Sequence, residues 1–255
     1  MSDVRSRRAP DAFRHVAVTR VVACSPFLVR VTLHGAELDG LDAPEPASSV
    51  RLLLADRAGG DVTMPEWRGN EFLLPDGGRP VIRTLTPVRF DPVALELDVE
   101  VVLHGGGPLS EWASSARIGG RAAVSGFGRG YVVGAGAASL LVAGDESALP
   151  AIATVLTSVA PDVVVRVLVE VRDARARIEL TGHAHADVTW ILASPGSAPG
   201  DALVEAVAAE SVTAGSRVWA AGEAAAVQRI RRHLFDERML DRSAVVARGY
   251  WKHGR

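Results

Sequence analysis

The residues in this chain best suited to hold a phosphate-bearing ligand are an arginine, a threonine and a glycine-rich turn ahead of a helix. The first two lie in Arg83-Thr84-Leu85-Thr86, and the turn lies in Val102-Leu103-His104-Gly105-Gly106-Gly107-Pro108, followed by Leu109-Ser110-Glu111-Trp112-Ala113. The run up to Leu103 predicts a strand, the three glycines break it, and Pro108, Ser110 and Glu111 suit the entrance of a helix. Such a helix start presents backbone N–H groups without intrahelical partners at the positive end of the macrodipole. Arg83 and Thr86, on a strand upstream, add a cation and a hydroxyl to the same ligand. Taken alone, Gly105 to Pro108 reads better as a plain loop; the rest of the chain changes that reading.

A second set of candidates is acidic. Ala143-Gly144-Asp145-Glu146-Ser147 and Ala221-Gly222-Glu223 each follow a short apolar run. At the ends of parallel strands they would flank one crevice, where such sheets bind ligands. Helix capping is an equally direct use for Asp145 and Glu146, and both uses are compatible. No G-x-G-x-x-G dinucleotide signature is present.

The elements that must position these residues fall into two styles. From His15 to about Val133 the chain shows short β-rich runs at His15–Val22, Leu28–Leu33, Ser49–Leu54, Leu95–Leu103 and Arg121–Val124, predicting an antiparallel sheet or small barrel. Leu95, Leu97, Val99 and Val101 alternate with Glu96, Asp98 and Glu100, a period of two. Asp56 to Pro80 reads as a long loop. From Ser139 onward, strands at Leu140–Ala143, Val163–Val169, Trp190–Ala193 and Val218–Ala221 alternate with helices at Ala148–Val159, Asp201–Ala209 and Ala224–Phe235. That alternation predicts parallel crossovers in a three-layer α/β sandwich. Gly134-Ala135-Gly136-Ala137 is the expected hinge, giving domains 1–136 and 137–255.

Composition narrows the class. The 255 residues suffice for two modest domains, and a net charge of −2 gives no electrostatic reason to expect nucleic acid or an anionic membrane as partner. No apolar run approaches the roughly 20 residues of a membrane span. Met1 to Arg8 has charge but no following apolar core, so it does not read as a secretion signal, and the expected location is cytoplasmic. Cys24 is the only cysteine, which excludes an intrachain disulfide and any cluster needing several cysteine ligands.

Five blocks in register resemble the siderophore-interacting protein family, over about Val16 to Gly254. Arg83-Thr84-Leu85-Thr86 is similar to its R-x-Y-T flavin motif, and Val102 to Ala113 to its pyrophosphate segment. Ala143-Gly144-Asp145-Glu146-Ser147-Ala148-Leu149-Pro150-Ala151-Ile152 resembles the G-D-E-[ST]-A-L-P-A-I block. Trp219-Ala220-Ala221-Gly222-Glu223-Ala224 and Gly249-Tyr250-Trp251-Lys252-His253-Gly254 resemble its last two motifs. The resemblance implies an antiparallel β-barrel FAD-binding domain followed by a Rossmann-like α/β domain for NADPH or NADH, as in ferredoxin reductases. It implies FAD contacts at Arg83, Leu85, Thr86, Val102, His104, Gly105, Gly107, Pro108, Leu109, Ser110 and Trp112. It places the nucleotide at Asp145, Glu146, Ser147, Gly222 and Glu223, the tail residues Tyr250 and Trp251 beside the flavin, and Lys252 against an anionic ferric siderophore. The activity implied is electron transfer from NAD(P)H through FAD to Fe(III), with no side chain acting as acid, base or nucleophile.

The chain departs from the family pattern at two positions. Leu85 stands where the family has a tyrosine, and Val88 where a second arginine is usual, with Arg89 one step later. Two other activities therefore stay open: a flavin-dependent oxidoreductase with a non-siderophore acceptor, and a non-enzymatic paralogue that has lost FAD. Arg172, Arg175 and Arg177 follow the second α/β strand and read as a solvated edge ahead of a 2′-phosphate site. His183 and His185 read as a surface turn, with no third metal ligand apparent.

Overall fold

The computed structural model describes residues 10–55, 60–134, 136–213 and 215–254. The chain divides into two compact units, one from residues up to Ala23 and Leu28–Gly130, the other from Cys24–Phe27 and Tyr131 onward. Ala135 of the expected hinge and residues 56–59 of the expected loop lie outside the described residues.

The first unit is built on β1 (Arg14–Ser25), β2 (Leu28–His34), β3 (Val50–Leu54), a small hairpin of β4 (Glu66–Arg68) and β5 (Glu71–Leu73), then β6 (Ile82–Leu85), β7 (Pro87–Asp91), β8 (Glu96–Val102), α1 (Pro108–Ser114) and β9 (Arg121–Val124). The hairpin interrupts what composition alone suggests is an unbroken loop. Seven strands form one sheet in the order β6-β3-β9-β1-β2-β8-β7. Its two edges, β6 and β7, are joined through the single residue Thr86, so the sheet must curl back upon itself. The inner face carries Val16, Val18, Val31, Leu33, Leu52, Leu97, Val99 and Val124 as a shared core.

The period-two pattern of β8 holds, but its acidic side is not exposed. Asp98 and Glu100 are 3% and 5% exposed. Asp98 accepts a 2.6 Å hydrogen bond from the Thr32 hydroxyl, and Glu100 takes the Arg30 guanidinium at 2.6 Å. Arg20 and Arg89 also lie within 4 Å of Asp98. Arginine stems cover this outer face while their charges pair with the carboxylates beneath.

The second unit contains β10 (Ser139–Asp145), α2 (Leu149–Ser158), β11 (Val164–Val171), β12 (Asp187–Leu192), α3 (Asp201–Ala209), β13 (Ser216–Glu223), α4 (Ala224–Arg232) and β14 (Val245–Trp251). The residues expected to form a closing tail are a fifth strand. All neighbours in the order β12-β11-β10-β13-β14 are parallel. Apolar residues occupy both faces of the central strands. Leu141 and Ala143 of β10 pack with Leu203 and Val207 of α3 and Ile230 of α4. Gly144, of opposite parity, lies against Ala148 and Ile152 at the start of α2. Helices thus cover both faces, as buried parallel sheets require. The last helix ends in a π-helical turn, His233–Glu237, rather than continuing as α-helix to Phe235. Among the described residues no helix is long and apolar enough to cross a membrane.

One buried acid fixes α3. Glu170, at the carboxyl end of β11 and 5% exposed, accepts from the N–H groups of Gly200 at 2.7 Å and Leu203 at 2.8 Å. These are two of the donors a helix start leaves unsatisfied, and a carboxylate there also meets the positive end of the dipole. Gly200 is left-handed at φ 84°, and a Cβ there would stand 2.3 Å from Ala226, so α3 and α4 approach closely at this point. Glu170→Ala should lower stability by about 2–4 kcal/mol, read as a fall in the denaturation midpoint without a change in slope.

Candidate functional site

In the first unit the candidate groups gather where the curled sheet closes. Thr86, the residue joining the two sheet edges, is 6% exposed, and its hydroxyl has no hydrogen-bond partner among the described residues. Arg83 is exposed on β6, where its Nη1 donates to the neighbouring Ile82 carbonyl at 2.9 Å and to no carboxylate. Pairing with β3 sets Arg83 opposite Leu52 and Leu85 opposite Val50. The same strand touches β8, whose end leads into the glycine turn.

That turn has a defined geometry. Gly105 and Gly107 adopt φ of 77° and 81°, a region that favours glycine. A Cβ on Gly105 or Gly106 would meet nothing within 4 Å, so the turn is open on its outer side. Pro108 begins α1, as a residue with no N–H to leave unpaired. Ser110 is buried and its hydroxyl accepts from the His104 N–H at 3.2 Å, folding the turn back onto the helix. Leu109 and Trp112 pack against the core rather than outward, whereas His104 is exposed beside Gly107. Open glycine backbone, helix-start donors and a guanidinium on β6 that pairs with no carboxylate are a donor set that fits a pyrophosphate.

The two departures have structural counterparts. Leu85 is half-buried, with part of its side chain against the barrel core. Arg89 does not replace the missing second cation: it pairs with Asp91 at 2.9 Å and lies near Asp98, in the ion cluster of the outer face.

In the second unit the strand order places β10 beside β13, and this is the switch point at which the connections reverse direction. Ligands of such sheets bind outside the carboxyl ends of the strands there. Gly144 is paired with Ala221, which brings Asp145 next to Gly222 and Glu223. The Asp145 carboxylate is saturated. Its Oδ1 accepts from the Ser147 N–H at 2.9 Å and the Ser147 hydroxyl at 2.5 Å; its Oδ2 accepts from the Glu223 N–H and the Trp251 Nε1–H, both at 2.8 Å. Burial nevertheless pushes this carboxyl above the usual aspartate range, with the four donors acting in the opposite sense.

Glu223 and Glu146 are committed in similar ways. Burial pushes the Glu223 carboxyl upward, but the N–H groups of Ala226, His253 and Ala225 outweigh it and hold the group below the usual range. Glu146 is 6% exposed and receives the Arg172 N–H and guanidinium. Arg175 pairs with Asp173, so of the three arginines after β11 only Arg177 shows no partner among the described residues. His183 is buried, not at the surface, with Nε2 at 3.2 Å from the Ala160 carbonyl; His185 is exposed. Among the described residues no group of three or more potential ligands gathers for a metal. Tyr250 stacks edge-on to Trp219 at 6.5 Å, and Lys252 is exposed.

Two links at this edge were not read from the sequence. The Asp145 to Trp251 hydrogen bond spans 106 positions and has no local signature. Glu170 had one: it is the only acid in the apolar run Val164–Val171, and a carboxylate there must find donors.

Residues 17–130 match the family model of the siderophore-interacting FAD-binding domain, and residues 137–254 that of the siderophore-interacting protein. The crystal structure of a siderophore utilization protein from T. fusca superposes with a TM-score of 0.83 at 33% identity, covering 97% of this chain and 95% of that one. The ferric vibriobactin reductase ViuB of Vibrio cholerae is 28% identical over 91% of this chain and 86% of its own length. The NADPH-dependent ferric-chelate reductase of Escherichia coli is 28% identical over 94% and 92%. With its two units matched in order along nearly its whole length, the chain belongs to the siderophore-interacting protein family.

Proposed function

We propose that this protein is a flavin-dependent ferric-siderophore reductase, taking electrons from NADPH or NADH through FAD to Fe(III) and releasing Fe(II). The observation that carries this reading is the pairing in one chain of two sites. One is the open glycine turn after β8, the strand that Arg83-bearing β6 touches; the other is a parallel sheet whose switch point ends in Asp145 and Glu223. Family membership and the reductase relatives in Vibrio cholerae and Escherichia coli support it.

FAD, when bound, supplies the conversion between a two-electron hydride donor and one-electron delivery to iron. The chain's own residues hold and orient. Gly105 and Gly107 let the backbone approach the pyrophosphate, and the donors at the start of α1 face it. Arg83 offers a guanidinium to a phosphate oxygen. Thr86, fixed by strands on both sides, offers its hydroxyl at a constrained position. Leu85 covers an apolar ring face by dispersion and exclusion of water. His104 stands at the mouth of the turn. In the second unit the switch point receives the nucleotide, and the exposed ammonium of Lys252 suits an anionic siderophore. Iron is substrate here. Fe(II) is a poorer match for hard oxygen chelators than Fe(III), so reduction itself loosens the iron.

The alternative of a ligand-binding paralogue without FAD draws on the commitment of Arg89 and on Leu85. Purified protein incubated with FAD and desalted should retain the visible flavin bands and then oxidise NADPH or NADH when ferric siderophore is added. Colourless protein would overturn the reading, and turnover with free flavins or quinones alone would move the acceptor. Arg83→Ala should weaken FAD binding about tenfold or more, the worth of a charge-assisted hydrogen bond, in a flavin fluorescence titration. Leu85→Tyr should tighten it by up to about tenfold through ring stacking; an unchanged Kd would show that this side chain does not face the ring.

A further inference from the structure

We propose that the β4–β5 hairpin, Phe13 and Arg51 of β3 form a second binding site in the first unit, one that takes a small aromatic carboxylate. Its ring lies among Phe13, Trp67 and Phe72, and its charge faces Arg51. None of these residues is among those assigned above to flavin or nucleotide, and the site does not rest on that reading.

The hairpin has two chemically distinct faces. Trp67 and Phe72 are paired directly across it and share one side, while Glu66 and Arg68 alternate onto the other. The charged side satisfies itself, since Arg68 pairs with Glu66 at 3.0 Å. The aromatic side does not. Trp67 meets Phe72 edge-on, with ring centres 5.0 Å apart and planes at 66°, and Phe13 meets Phe72 likewise at 5.2 Å and 64°. Rings set edge to face stand as walls rather than as a flat stack. With Met64, Pro65 and Pro10 they line an open cavity of about 260 Å³. A dry apolar cavity of about 150 Å³ already accepts a benzene ring.

Packing alone does not account for this cluster. All three rings are half-buried, and none is among the residues that form the core of the first unit or pack against it. A chain with six phenylalanines and five tryptophans sets three of these rings at one solvent-open place. Grouped, accessible aromatic surface of this kind marks a site of binding.

The charge comes from Arg51. Its guanidinium lies over the Phe72 ring, 5.8 Å from the centre. β3 carries it opposite Thr84 of β6, and so on the other face of that strand from Arg83 and Leu85. Among the described residues no carboxylate pairs with Arg51, whereas Arg68 and Arg79 are neutralised by the hairpin acids Glu66 and Glu71. Asp11, next to the lining residue Pro10, lies with its carboxylate against the Gly126 backbone. A guanidinium without a carboxylate beside an aromatic cavity selects an anion, and its planar fork matches a carboxylate. A ligand cation would meet like charge there.

The test is a titration of the ¹⁵N-labelled full chain with benzoate, followed at the Trp67 indole, whose resonance is assigned by its absence from Trp67→Phe. Benzoate should shift this resonance saturably with a Kd of about 1 mM or tighter, the scale for a ligand of so few atoms. Arg51→Gln, shown to be folded by its amide spectrum, should weaken binding about tenfold or more, and Arg51→Lys should recover part of the loss. Cyclohexanecarboxylate, with the same charge and no aromatic ring, should bind about fivefold more weakly. Benzylamine should bind more weakly than either. No saturable shift with benzoate would overturn the site. An unchanged Kd in Arg51→Gln, or tighter binding of benzylamine, would overturn the choice of an anion. Equal binding of cyclohexanecarboxylate would overturn the role of the rings.

Discussion

The carboxyl edge of the parallel sheet is organised by acidic side chains that accept backbone N–H groups. Asp145 takes those of Ser147 and Glu223, Glu146 that of Arg172, Glu170 those of Gly200 and Leu203, and Glu223 those of Ala225 and Ala226. Strand ends and helix starts coincide on this edge, so unpaired donors accumulate there, and buried donors without acceptors are expensive. Four carboxylates resolve the shortage. Each also stitches two segments distant in sequence, such as β11 to α3 through Glu170. On the function proposed above, a nucleotide approaching this edge would meet acids whose oxygens already accept from the protein's own N–H groups.

The first unit solves a different problem by a different device. A seven-stranded antiparallel sheet has two edges, and exposed edges invite unwanted pairing. Linking β6 to β7 through Thr86 alone brings those edges to one place. Anything attached to β6, including Arg83 and Leu85, is then fixed relative to β8 and the turn that follows it. On the outer face the arginines that cover Asp98 and Glu100 are used up by that task. Arg89 belongs to this group: it lies just past a register shift at Val88, opposite Asp98, and pairs with the acids of the outer face.

How far the fold could be read from the residues varied with the kind of information each element carries. The longer strands, β1 to β3 and β8 to β13, and helix α3 were legible because burial on one or two faces imposes periodicities of two and 3.6, whereas β4, β5 and β7 were not. The α3 span Asp201–Ala209 coincides with its expected limits. Closure was expected as one of two outcomes, a small barrel, but the place of closure was not legible, because a single threonine between two strands looks like any other residue. The final strand was hidden too: Gly249 and the aromatic cluster read as a tail, and only pairing with β13 makes it β14. The alternation of β8 gave its period but not its environment, since Asp98 and Glu100 are buried by partners from β1, β2 and β7. At the glycine turn the residue types indicated backbone exposure, while the inward packing of Leu109 and Trp112 depends on how α1 lies on the core.

The departures at Leu85 and Val88 bear on affinity more than on architecture. A flavin dinucleotide is held at two ends by different physics. Its phosphates are bound by charge-assisted hydrogen bonds and helix-start donors, each worth about 1.5–3 kcal/mol when charged groups take part. Its ring is held by apolar coverage, to which an aromatic stack adds only about 0.5–1.5 kcal/mol. Replacing a stacking ring by leucine removes the smaller contribution and leaves dispersion and water exclusion in place. On the function proposed above, Arg83 and the open turn keep the larger one. On that reading, a chain that loses the ring partner but keeps Gly105, Gly107 and Arg83 retains most of what would fix the cofactor in place, and the substitution falls on how the ring is covered.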